Sequence, residues 1–260
     1  MTTPITVPIV IAGFEELVER VRRLLERLSA GIDQVIENAR RSTRLLPVVA
    51  EQVASLCDQL DDFRRRLKAE IIRLLSRVGQ PWKVWDAGAS WVANFAGPLS
   101  EHVGEMNDLH LSANYAWDGR AADMYAATTA RQKEALVALQ SIGADVHTAL
   151  GHVAVAICAL WAAVAAALLM ACSGVVAAVA SASTGIGAPA AVAFVFEALA
   201  ALLAGVSVGV GGFMLTAERA NDAMATLRNR LFDRSALDGG QWPGSKSERY
   251  REGASWKLAQ

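Results

Sequence analysis

The chain has 260 residues, 53% of them hydrophobic, and a formal net charge of −1 at pH 7; its mean hydropathy is +0.28. That length allows one large or two small domains with a substantial core. The charge excludes a nucleic-acid partner held by a basic field, because each segment is close to neutral: 13 Lys/Arg against 11 Asp/Glu in 14–78, 4 against 8 in 79–150 and 8 against 6 in 218–260.

Residues 1–13 read as a short N-terminal extension. It has no basic stretch before its apolar run and no small-residue cleavage site, so it does not read as a Sec-type signal peptide. Export of this chain would use a route that recognises something else. From Phe14 the apolar residues Leu17, Val18, Val21, Leu24, Leu25, Leu28, Ile32, Val35 and Ile36 recur at steps of three and four, which predicts one face of a helix. Pro47 breaks it. A second stripe follows through Val53, Leu56, Leu60, Phe63, Leu67, Ile71 and Leu74. The simplest reading of 14–78 is an antiparallel amphipathic hairpin.

Gly79-Gln80-Pro81 is a break. A third helical region starts near Trp82, with Gly97-Pro98 as an interruption, and is expected to end at Ala113–Tyr115. A fourth runs from Ala122 to Leu150. Between them stands ANYAWDGRAADMY, in which Asp118-Gly119 supplies a tight reversal and Trp117 an aromatic able to pack across two helix ends.

Residues 153–196 hold no charged side chain, a run of 44. Two apolar helices joined by the turn SASTGIGAP are predicted over 153–216, each beyond the roughly 20 residues that cross a bilayer. Trp161, Gly174, Glu197, Gly205 and Gly209 mark this hairpin. Gly205 and Gly209, at GxxxG spacing, allow close helix packing in lipid or in a protein core. Glu197 is its one charge and sits toward the start of its helix, where an interfacial position would spare it the bilayer centre. The alternative is a buried hairpin inside a water-soluble bundle. A short amphipathic helix at 217–232 and a polar, disordered tail at 233–260 follow, with Trp242 and Trp256 as candidate docking points. The predicted fold class is all-α, an elongated helical bundle built from helical hairpins.

The stretch W-D-G-R-A-A-D-M-Y resembles the W-x-G-x-A-A-x-x-Y pattern of the WXG superfamily, the helical-hairpin substrates of type VII (ESX) secretion. Trp117, Gly119, Ala121, Ala122 and Tyr125 match position by position. The resemblance covers the helix-turn-helix at 82–150, and the apolar hairpin after it resembles the longer Esp-type proteins of such systems. It implies a secreted or cell-surface protein exported without a signal peptide. It also implies a WXG-type or other small helical partner or chaperone, contact with the secretion machinery, association with a membrane, and homo-oligomerisation as a further mode. The family's Tyr-x-x-x-acidic export signal is missing here: Tyr115, Tyr125 and Tyr250 are followed four residues on by Gly119, Thr129 and Ala254. A partner that supplies the signal would account for this. The 14–78 hairpin is expected to pack on 82–150 and imitate the family's two-chain bundle. The competing expectation is a resident integral membrane scaffold with a cytoplasmic coiled coil. A third is a pore-former acting on other membranes.

No chemistry is legible. Of the histidines, His147 and His152 are five apart and do not share a helix face, and His102 with Glu105 lacks a second ligand pair. The glycines of 205–212 have no following Lys-Ser/Thr to hold a phosphate. Cys57, Cys158 and Cys172 lie in apolar helical pattern and read as buried thiols. The expectation is a protein without catalytic residues, metal or cofactor, and without a nucleic-acid partner.

Overall fold

A computed structural model describes residues 8–43, 47–106, 118–182, 187–232, 236–237 and 240–243. The protein is all-α, and no β-strand occurs among the described residues. The helices are α1 (Ile9–Ala12), α2 (Phe14–Thr43), α3 (Pro47–Leu75), α4 (Pro81–Trp91), α5 (Gly97–Glu105), α6 (Arg120–Ala182) and α7 (Ala188–Leu231). Two compact units are present. One takes Val84–His152 and the described residues from Glu218 on; the other takes the described residues up to Lys83 together with Val153–Ala217.

In the second unit α2 and α3 form the predicted antiparallel hairpin, 30 and 29 residues long. The stripe Phe14, Val18, Val21, Leu24, Leu25, Leu28, Ile32, Val35 and Ile36 is buried, and each such side chain stabilises by about 1.5–3 kcal/mol. Pro47 opens α3, where its missing N–H costs nothing. On α3 the buried positions are Val53, Cys57, Leu60 and Ile71, while Ile72 and Leu74 face outward.

Ion pairs stitch the two helices together. Arg40 pairs with Asp58, and Arg64 reaches Asp33 at 2.8 Å. Asp61 accepts from Arg64 at 2.6 Å and from Arg65 at 2.6 Å, and these guanidinium hydrogen bonds hold its carboxyl below the usual carboxylate range. The folded pKa is the lower one, so Asp61 stabilises the hairpin above the unfolded value near 3.9, and that contribution is lost as pH falls through the depressed folded value. Asp61→Asn should therefore lower the urea midpoint at neutral pH and do so less in acid. An equal loss at both pH values would remove the electrostatic role.

The apolar parts of α6 and α7 complete this unit. The 14–78 hairpin shares this unit with 153–217, whereas its expected partner 82–150 falls, from Val84 on, in the other unit. Trp161 Nε1 donates to Val78 O at 3.1 Å, Cys172 Sγ to Leu24 O at 3.4 Å and Ser42 Oγ to Ala182 O at 3.1 Å. Contacts on α6 rise in number as those on α2 rise, so these two helices run the same way. All three cysteines are buried, and burial pushes the Cys57 thiol up.

In the first unit α4 and α5 run antiparallel to α6: Trp85 lies against Gly151, Gly88 against His147, and Ala96 against Gly143. Trp85 meets the His147 ring edge-on, with centroids 5.3 Å apart. His147 Nδ1 is buried with no hydrogen-bond partner among the described residues. Gly97-Pro98 does not end the helix. A π turn at Val92–Ala96 absorbs it, with the Gly97 N–H reaching Val92 O; this register shift accommodates a proline that has no N–H to give and would crowd the carbonyl a turn back. α5 ends at Glu105, and the expected stretch to Ala113–Tyr115 lies outside the described residues. Arg230 on α7 pairs with Asp145 on α6 at 2.7 Å. Pro243 O accepts from Gln132 Nε2 at 3.3 Å. Residues 217–231, expected as a separate helix, continue α7 without a break. Most of the tail, Trp256 included, lies outside the described residues, and Trp242 is exposed.

Candidate functional site: the W-D-G turn and the apolar helix pair

The turn motif opens α6. Trp117 and the side chain of Ala121 lie outside the described residues. Gly119 takes φ +103, a region that L side chains rarely adopt. Its carbonyl accepts the first hydrogen bond of α6, from the Asp123 N–H at 3.1 Å. A Cβ on Gly119 would meet nothing within 4 Å. The glycine is therefore required by the backbone and not by space. Gly119→Ala should cost about 1–2 kcal/mol, the strain of a side chain in that region, and Gly119→Asn less, both read from urea denaturation. Equal stability of Gly119→Ala and the parent chain would mean that the turn relaxes. Along α6, Ala122 is half-buried and Tyr125 is exposed. These two are three apart and share a helix face.

The apolar pair is built on small residues. A Cβ on Gly174 would lie 2.8 Å from Ala198 Cβ, one on Gly205 2.9 Å from Ala167 Cβ, and one on Gly209 2.9 Å from Ala163 Cβ. The numbers fall along α6 by the steps in which they rise along α7, as they must for antiparallel helices in continuous register. Glycine or alanine at each crossing lets the backbones approach, a form of packing that works in water and in lipid alike.

Away from this seam the two helices differ. α6 is covered on two sides: Trp161, Val164, Leu168, Ala171, Cys172 and Val175 are buried. Trp161 is thus a buried residue tied to the segment that follows α3 through Val78 O. In its apolar part α7 buries Ala188, Ala191, Val192, Val195, Leu199 and Leu202 among the described residues. Its opposite side carries Phe194, Val208 and Leu215, of which Val208 is 76% exposed. On α6 the outward residues are Val155, Leu169, Met170 and Val176. Both helices are long and apolar enough to cross a membrane.

Glu197 stands on the exposed side of α7, in line with Phe194 and Val208. No ion pair or hydrogen bond of its side chain occurs among the described residues. It is the tenth residue of α7, about 14 Å from the helix start at 1.5 Å per residue.

Among the described residues neither the surface groove nor the acidic and histidine side chains form a ligand site. An open groove of about 550 Å³ is lined by Phe14, Val18, Arg22, Leu75, Gly79 and Trp82, with charges of both signs on its rim. Nothing there converges on one ligand chemistry. Among the described residues no three His, Cys, Asp or Glu side chains lie together to hold a metal ion. Sequence reasoning missed the part that α2 and α3 play at the apolar pair. The signal available was the width of the α2 stripe, which is more than one partner helix covers. Compared with protein-family models, curated proteins and solved structures, the chain finds no match in any of the three.

Proposed function

We propose that this chain is a WXG-like, Esp-type helical protein associated with type VII secretion, acting by partner binding through its W-D-G turn and by membrane interaction through its apolar helix pair. One observation carries the reading. The W-D-G-R-A-A-D-M-Y stretch sits at the start of a helix that needs Gly119 in a positive-φ conformation, and that same helix continues into the apolar segment. Trp117, Gly119, Ala121, Ala122 and Tyr125 would form the surface offered to a small helical partner or chaperone, or to the export ATPase. The outward apolar side of α7 supports the membrane part. A monomer in water seldom leaves so long an apolar strip uncovered. The action is one of contact, with oligomerisation and pore formation as its extension at the membrane.

The test is the location of the tagged protein in a native host with the type VII ATPase intact and deleted. ATPase-dependent appearance in the culture filtrate or at the cell surface is the expected result. Carbonate-resistant protein in the inner membrane of both strains would sink the secretion reading and leave a resident membrane scaffold. The exposed strips of α6 and α7 fit that scaffold equally well.

A further inference from the structure

The apolar part of α6 is covered by the N-terminal hairpin, and the contacts in this unit are of different kinds. α2 and α3 are joined to each other by ion pairs, Arg40–Asp58 and Arg64–Asp33. Neither is joined to the apolar parts of α6 or α7 by any ion pair among the described residues, since Glu197 is the one charge there. What holds α2 to α6 is apolar contact plus a few neutral hydrogen bonds, each worth about 0.5–1.5 kcal/mol. The seam between α6 and α7 is different again, being made of Gly174–Ala198, Ala167–Gly205 and Ala163–Gly209 approaches. Transfer to lipid removes the hydrophobic drive that keeps α2 on α6, because acyl chains cover an apolar face as well as α2 does. Small-residue packing survives the same transfer.

We propose that the α2–α3 hairpin is an intramolecular sheath for α6. In this arrangement α6 is kept compatible with water, and α2–α3 leaves as one piece when the α6–α7 pair enters a bilayer. The inference rests on the membrane reading above and adds its regulation. The freed stripe of α2 suits the lipid–water boundary, since its apolar face is backed by arginines and glutamates.

Gly31 on α2 supplies the test. A Cβ there would lie 3.8 Å from Val175 Cβ on α6, within the spacing of about 3.5–4.5 Å that a disulfide spans. Gly31→Cys with Val175→Cys, in a Cys172→Ala background, locks the sheath when oxidised and frees it when reduced. Insertion into phosphatidylcholine–phosphatidylglycerol vesicles is read by flotation and carbonate resistance, and the crosslink by gel mobility. The expected result is insertion about tenfold lower oxidised than reduced, with the reduced protein equal to Cys172→Ala alone. A second variant pushes the other way. A side chain at position 31 meets Val175 Cγ1 at 2.7 Å, so Gly31→Leu should raise insertion while far-UV ellipticity stays that of the parent. Equal insertion of oxidised and reduced protein overturns the sheath and leaves the membrane reading standing. Absence of insertion by every form, the parent included, overturns both.

Discussion

Leu168→Ala is expected to lower unfolding free energy by about 2–5 kcal/mol, while Met170→Ala two positions on changes it by less than about 0.5 kcal/mol. Both side chains belong to the uncharged part of α6 and look alike in a hydropathy profile. Leu168 is fully buried, whereas Met170 is 67% exposed. Truncating the first removes packed atoms and leaves a cavity that its neighbours fill only in part. Truncating the second returns a little apolar surface to water or none. The comparison by urea denaturation asks whether this segment is a protein core in the resting chain. If both cost the same few tenths, α6 is not sheathed. Vesicle binding separates the two again, because Met170→Asp should weaken it with stability unchanged, whereas Leu168→Ala acts through folding.

Gly205→Leu and Gly212→Leu form the second pair with a large expected difference. Both glycines lie in α7. A Cβ at 205 falls 2.9 Å from Ala167 Cβ, while one at 212 meets nothing within 4 Å. At 205 the two helices must part, and overpacking of this kind costs about 1–3 kcal/mol even though leucine is the better helix former. At 212 only the propensity gain remains, a stabilisation of up to about 1 kcal/mol. Opposite signs in thermal melts would establish the α6–α7 register. Destabilisation at both positions would mean that α7 has a second neighbour.

Much of the architecture was legible because it depends on local rules. The three-and-four spacing of α2 told that one face must be buried, and Pro47 and Pro81 marked interruptions that prove to be the first residues of α3 and α4. The absence of charge from 153 to 196 told that an apolar pair would follow. Gly205 and Gly209 were legible as points of close approach, though not their partners, and the crossing at Gly174 was not. The π turn was not legible, since Gly-Pro commonly ends a helix and only the surrounding backbone decides whether a register shift can absorb it.

By itself the sequence determined that the chain is helical, that α2 has a side needing cover, and that a stretch of α6 and α7 carries no charge but Glu197. Periodicity and composition suffice for that, because each is a property of neighbours along the chain. Only the tertiary structure decided what covers what. An amphipathic stripe specifies that apolar surface leaves water, not against which surface, so 14–78 was free to pair with 82–150 or with 153–217 until distances such as Trp161 to Val78 and Cys172 to Leu24 chose the second. The same holds for Trp161, which composition assigned to the apolar hairpin and packing set against the chain at Val78, and for Glu197, whose side of α7 depends on which face α6 occupies.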